Sequence, residues 1–227
     1  MNSNNSTLGS GSRQGLTRRE EYARATRQAI IDAARRLFSE RGYFNTKVDD
    51  IAALARVAPA TVYAVLGGKQ GLLNTLIDVF TTAPIIEATI GRIEEMDDPR
   101  TVLRLVAATC RRMEEEFGDI MRVMRAIAPH DEAVSETLAA ATTRTRQAFV
   151  PIAQRLADLG ALRDRLDVKQ AVDVFWFYFG YSGFLTLHND NGWSYERAEQ
   201  WLCEEASRAL LQSQLVPCSP ERQANSR

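Results

Sequence analysis

Histidine is almost missing from this chain: His130 and His188 are the two in 227 residues. That leaves little for imidazole acid–base chemistry or for a histidine-built metal centre, and no metal-ligand spacing occurs. Cysteine is nearly as scarce. Cys110, Cys203 and Cys218 lie far apart with no C-x-x-C pair. Such usage points to a reducing compartment and excludes a disulfide framework. There is no G-x-S-x-G elbow and no glycine-rich phosphate loop. No apolar run approaches the roughly 20 residues of a membrane span; the longest aromatic block is Val174 to Phe179. The first residues are polar and lack the apolar centre of a signal peptide. The reading is a cytoplasmic, non-enzymatic protein with no cofactor and no membrane partner. His130 follows Pro129 with no partner in view, and His188 reads as a satisfied structural histidine. Asp49-Asp50 and Glu114-Glu115-Glu116 read as helix-start and solvated charges.

Net charge is also small, −1 at neutral pH. Taken over the whole chain this argues against nucleic acid, but the distribution reverses the argument. Residues 13 to 80 hold 11 Lys/Arg against 7 Asp/Glu, and the remainder holds 17 against 22. A basic end on an acidic body is the asymmetry expected when one end meets phosphate. The apolar share of 45% supports a real core.

What is present is concentrated between Thr46 and Lys69, TKVDDIAALARVAPATVYAVLGGK. Thr46 and Asp49 have capping-box spacing, which predicts Thr46 as the N-cap of a short helix. Val48, Ile51, Ala52 and Ala55 give that helix one apolar face. Pro59 suits the first position of the next helix, where an amide hydrogen would lack a partner. Val57 and Val62 have the spacing of a hydrophobic staple, and Gly67-Gly68 stop the helix. Two short helices around a tight turn form the helix-turn-helix pattern. Val62 and Leu66 face inward, so Tyr63 lies toward the flank, with a core tyrosine as the competing reading. Ala60, Thr61 and Ala64 lie on the open face, where small side chains let the backbone approach base edges and thymine methyls.

The run Ile51-Ala52, Ala55, Val57, Thr61-Val62-Tyr63, Lys69 and Leu72 resembles the TetR family of bacterial transcriptional regulators over roughly residues 20 to 80. The resemblance implies that the second short helix enters the major groove. It implies phosphate contacts for Thr61, Tyr63 and Lys69, and makes Tyr43 a further candidate. With Thr46, Arg56, Pro59, Ala60 and Ala64 these complete the expected DNA-binding set. Four positions depart from the family pattern. Arg56 stands in place of the turn glycine, Ala58 in place of a serine N-cap, Val65 in place of a phosphate-contacting Tyr or His, and Leu66 in place of a core Phe. Arg56 offers a phosphate contact in exchange for the one Val65 removes.

The rest of the chain is read as helix, giving an all-α fold. Composition predicts a disordered tail over 1–16. A helix-turn-helix unit follows over 17–68, then a larger helical effector-binding and dimerisation domain over 69–216, and a second tail over 217–227. Thr17 to Arg27 is either a solvated helix start or a basic arm. The first helix is expected from Glu21 to Arg41, ending at Gly42, with Tyr43 and Phe44 plugging the base of the core. Further helices are expected at 84–96, at 100–117 with Gly118 as a breaker, at 120–128, and at 131–159 with Pro151 inside. Val168 to Asn189 is aromatic all round and must be covered on several sides. Ser194 should cap the last helix; Gly192 to Leu202, GWSYERAEQWL, resembles a motif in one branch of the family. By the same resemblance the last two major helices pair with their copies in a homodimer.

These features together describe a homodimeric regulator, a repressor released from a palindromic double-stranded DNA operator by a small, mostly apolar effector. The effector cavity should be on the order of 300–1,000 Å³. Met113, Met121, Met124, Phe149, Phe177, Tyr178 and Tyr181 are its expected lining, each equally readable as core. The competing readings are an all-helical small-molecule-binding or enzymatic protein with a merely structural helix-turn-helix, and a sequence-neutral DNA binder.

Overall fold

The structure is a computed structural model that describes residues 17–213. The tails expected at 1–16 and 217–227 lie outside the described residues. Every regular element among the described residues is helical, apart from an isolated bridge between Leu162 and Leu211.

Helix α1 spans Arg18–Arg41. It starts earlier than its apolar pattern indicates because Thr17 caps it. The Thr17 hydroxyl accepts from the Glu20 amide at 3.3 Å, and the Glu20 carboxylate accepts from the Thr17 amide at 2.8 Å. Ile30, Ala33, Ala34, Leu37 and Phe38 form its buried face. Helices α2 (Val48–Ala55), α3 (Pro59–Leu66) and α4 (Gly68–Thr81) follow. Val62 and Leu66 seat α3 on the core, as their spacing predicts.

The expected cap at Thr46 is not the one formed. Lys47 is the N-cap of α2, and the Asp50 carboxylate accepts from the Lys47 amide at 3.1 Å. Thr46 is only 1% exposed. Its hydroxyl donates to the carbonyl oxygens of Gly42 at 2.8 Å and Leu37 at 3.3 Å. The carbonyl of the cap residue Gly42 has no helical partner, and the buried threonine satisfies it.

Beyond α4 come α5 (Pro84–Glu94), α6 (Pro99–Ile127), α7 (Glu132–Asp158), α8 (Val168–Phe179) and α9 (Tyr195–Leu210). The break expected at Gly118 does not occur. α6 continues through it, because Phe117, Ile120, Met121, Met124 and Ile127 keep one buried stripe in phase on both sides. That packing outweighs the roughly 1 kcal/mol by which glycine disfavours a helix interior. A single 3₁₀ turn, Ala128–His130, then joins α6 to α7. The aromatic stretch is in turn not one helix. α8 ends at Gly180, whose amide donates to the Trp176 carbonyl at 2.9 Å. A π-turn, Leu185–Asp190, follows. Ser194 caps α9 as expected, accepting from the Arg197 amide.

Two apolar clusters divide the molecule. One combines the buried faces of α1 to α4 with the second half of α6, from Met113 to Ile127, and with Val134 and Ala141 of α7. The other joins the first half of α6 to the end of α7, α8 and α9. Helices α6 and α7 therefore belong to both.

The turn between α2 and α3 carries backbone strain, as does Arg165 with φ 73°. Arg56 caps α2 in the left-handed region, φ 59° and ψ 43°. A non-glycine residue there costs on the order of 1–2 kcal/mol, part of which glycine's own chain entropy offsets. Arg56→Gly is therefore expected to stabilise the fold by about 0.5–1 kcal/mol. Urea denaturation measures this, and a destabilised variant would show that the Arg56 side chain makes a compensating interaction.

Candidate nucleic-acid interface and internal cavity

Helix α3 presents its outward face without obstruction. Pro59, Ala60 and Ala64 are exposed and Thr61 is half-buried. Tyr63 is 59% exposed. Its ring lies against Gly68, where an added Cβ would fall 2.9 Å from Tyr63 Cε1. Glycine at 68 is required twice, by this approach and by its φ of +77°. No hydrogen bond engages the Tyr63 hydroxyl among the described residues. A ring held flat with an unengaged hydroxyl is placed to donate to a phosphate oxygen. Arg56 is exposed one turn away.

Two expected contacts look different in three dimensions. Thr46 is buried with its hydroxyl committed to α1, so its side chain does not reach the α3 face. The Lys69 ammonium is half-buried and donates to the Tyr43 carbonyl at 2.6 Å. It also sits 4.1 Å from the centre of the Tyr43 ring. Burial lowers the Lys69 pKa from its ordinary value, and burial raises that of Tyr43, helped by Asp131. Tyr43 packs on Phe38 at 5.2 Å and belongs to the base of the core. Phe44 does not: it is largely exposed, set edge-on to His130.

A cavity of about 100 Å³ lies in the larger part of the molecule. Phe80 of α4, Met113 and Met121 of α6, Phe149 of α7 and Tyr181 after α8 contribute to its wall. It is smaller than the sequence suggests, because these large side chains close on it. Its position explains its composition, since it opens where the two apolar clusters meet. Polar groups on the wall are few. Thr89 and Thr109 share a hydrogen bond at 2.9 Å, and Thr145 lies 3.4 Å from the Tyr181 hydroxyl. Burial pushes the Cys110 thiol up to about 12, which leaves it un-ionised at neutral pH.

Of the seven residues expected to line a cavity, Met113, Met121, Phe149 and Tyr181 do so. Met124 does not, being fully buried in the cluster beneath the helix-turn-helix. Phe177 and Tyr178 do not either. They sit with Trp201 along a surface groove of α8 and α9, and Phe177 is 73% exposed. His188 is engaged, its Nδ1 2.7 Å from the Trp193 carbonyl and its ring stacked on Tyr195 at 3.7 Å.

Among the wall residues that sequence reasoning passed over are two charged ones. Arg144 lines the cavity while its guanidinium reaches Asp78 of α4 at 3.1 Å. Glu114 was read as one of three solvated charges, yet its side chain is 13% exposed and lines the cavity. Glu115 and Glu116 do face water. A signal existed: Gly118 lies one turn after Glu114, on the same face. Burial raises the Glu114 pKa from its ordinary value, against the pull of Arg122, His188 and Arg125 and with Asp119 adding to the rise.

Helix-turn-helix geometry at one end and a cavity-bearing helical body at the other define the class of protein. Residues 30–76 match the model for bacterial regulatory proteins of the tetR family. The HTH-type transcriptional regulator TtgR of Pseudomonas putida is 34% identical over 89 residues, which is 39% of this chain and 42% of that protein. The chain thus spans less than half the length of this relative. Among solved structures, the SmeT–triclosan complex superposes with a TM-score of 0.70 at 20% identity, over 86% of this chain and 96% of that one. A regulator from Saccharomonospora viridis in complex with choline gives 0.65 at 18%, over 82% and 97%. These two are likenesses of fold. Residues 30–76 thus resemble the N-terminal segment of the tetR-family regulators, and the helices that continue it share the fold of the SmeT structure.

The Glu114 environment has a consequence for stability. A carboxyl whose folded pKa exceeds its unfolded one contributes stability at low pH, lost as pH rises from the unfolded value through the folded one. Glu114→Gln is neutral throughout. It is expected to melt above the parent at pH about 7, by roughly 2–4 °C per kcal/mol, with the gap closing below pH about 4. Thermal melts across that range read this directly. A lower melting temperature at neutral pH would show that attraction to Arg122 exceeds the penalty of burial.

Proposed function

We infer that this protein is a homodimeric, site-specific DNA-binding regulator, a repressor released from a palindromic operator by a small, mostly apolar effector. The carrying observation is the outward face of α3, unobstructed and flanked by the unengaged Tyr63 hydroxyl. Pro59 to Leu66 lies in the major groove, with Ala60, Thr61 and Ala64 toward base edges and Tyr63, Arg56 and Lys69 toward phosphates. Lys69 has further N–H donors to offer beside the one given to Tyr43. Thr46 contributes by shaping the turn.

Dimerisation is supported by the face of α8 and α9. Phe177, Tyr178 and Trp201 form an apolar groove there, and Phe177 protrudes. A second copy covers it, and two-fold symmetry then makes the operator palindromic. The effector reading is supported by the cavity between the two clusters. Triclosan in one structural neighbour and choline in another are small ligands held by those proteins within the same fold. The site of action is the cytoplasm.

Selection of duplexes from a random library by the purified protein tests this reading. One enriched palindrome is expected, and retention without enrichment would indicate sequence-neutral binding instead. Tyr63→Phe should weaken every duplex by about tenfold while keeping the same consensus, the loss of one hydrogen bond to a charged group. Changes at Ala60 or Thr61 should shift the consensus; an unaltered motif in both would remove α3 from the groove. Phe177→Glu should give monomers in sedimentation velocity and lose operator affinity, since a charge would enter an apolar interface. A dimer that survives this change would place the interface elsewhere.

A further inference from the structure

The cavity wall carries one carboxylate without a hydrogen-bond donor. No donor reaches the Glu114 side chain among the described residues. Its one ion pair there is with Arg122, at 4.0 Å, and Arg122 stays substantially in solvent. Other partly buried carboxylates are held far closer. Asp119 accepts two bonds from Arg35 at 2.8 Å, and Glu199 lies 2.6 Å from Arg111 Nε. The other charged side chain on the wall, Arg144, is already occupied by Asp78 at 3.1 Å and Thr81 at 3.3 Å. The least satisfied charge on the wall is therefore the Glu114 carboxylate, held only by a 4.0 Å contact to Arg122.

The position of this carboxylate is built rather than incidental. Gly118 lies in the middle of a 29-residue helix, where glycine is disfavoured. A Cβ there would fall 2.4 Å from Glu114 Oε1 and 2.7 Å from its carboxyl carbon. The carboxylate is seated in the space that glycine leaves. The same wall carries the aromatic rings of Phe80, Phe149, Phe179, Tyr181 and Phe184. Aromatic faces attract cations and accept the apolar body of a ligand, and a poorly solvated carboxylate adds the counter-charge. An anionic ligand would meet repulsion from Glu114, and a neutral one would leave the carboxylate desolvated and unpaired.

The geometry points to a lipophilic organic cation as the effector, a quaternary ammonium or protonated amine on an apolar body, with Glu114 as its counter-charge and Gly118 as the residue that seats it. This rests on the effector reading above and gives it a chemical class.

Isothermal titration of the intact protein tests it with three probes of similar size: benzyltrimethylammonium, its neutral carbon isostere neopentylbenzene, and phenylacetate. The cation is expected to bind at least tenfold more tightly than the isostere, and the anion most weakly. Glu114→Gln should cost the cation at least tenfold while changing the isostere less than twofold. Gly118→Ala, which keeps the carboxylate but displaces it, should reduce the preference in the same direction. Equal binding of cation and isostere overturns the inference. So do a preference for the anion, no binding by any probe, or a cation affinity indifferent to Glu114→Gln. Anisotropy of the selected duplex separates this from the broader reading. Cation binding at Glu114 that leaves DNA bound upholds the inference and removes effector release. Release by the neutral or anionic probe alone does the reverse.

Discussion

Everything in this molecule depends on the second half of α6 completing the core of the helix-turn-helix. Met121, Met124 and Ile127 are buried in the same cluster as Ile30, Phe38, Val62 and Leu72. The short helices α2 and α3 have only eight residues each, too few to be stable alone. They hold their shape because α1 and α4 give their apolar faces a place to bury, and α6 packs in turn on α1 and α4. The reading unit is therefore not an appendage on a linker. Its interior is continuous with the body, and the cavity lies at the edge of that shared interior, where the second cluster begins.

Polar ties follow the same boundary. Arg35 of α1 grips Asp119 of α6 through two hydrogen bonds of 2.8 Å and also reaches the Glu116 carbonyl. Arg144 of α7 reaches Asp78 and Thr81 of α4. The Arg144–Asp78 pair is exposed and adds little stability, whereas Arg35–Asp119 is partly buried. Their value is geometric, since each names a preferred register between one N-terminal helix and one body helix. Arg144 does so from the cavity wall, so a ligand that displaces it also disturbs α4. An effector shifts such an equilibrium only by its difference in affinity for the two arrangements.

Much of this was legible in the sequence wherever local rules act alone. Pro59, Gly67 and the Ser194 cap each carry their own conformational reason, and each lies where that reason places it. The failures share a cause. Thr46 has an N-cap's spacing but serves the end of the preceding helix, its hydroxyl donating to the carbonyls of Leu37 and of the cap residue Gly42. Gly118 has a breaker's identity but sits inside a helix, because the buried stripe on both sides stays in phase. Glu114 looks like part of an acidic surface run, and only the rotation of α6 separates it from Glu115 and Glu116. Met124 and Phe177 are apolar positions whose burial was decided by distant helices. Tertiary packing settles such cases, and one chain's local pattern does not contain it.

The continuity of α6 has a mechanical meaning. At 1.5 Å per residue its 29 residues form a rod roughly 43 Å long. One end lies among the helices of the second apolar cluster, its middle forms the cavity wall, and its far end lies under the helix-turn-helix. A helix resists compression along its axis far better than its neighbours resist sliding. Motion entering at the middle of such a rod cannot be absorbed at a hinge at Gly118, because no hinge is there. It must emerge as displacement or rotation at an end, which makes α6 a push-rod running from the cavity to the helix-turn-helix.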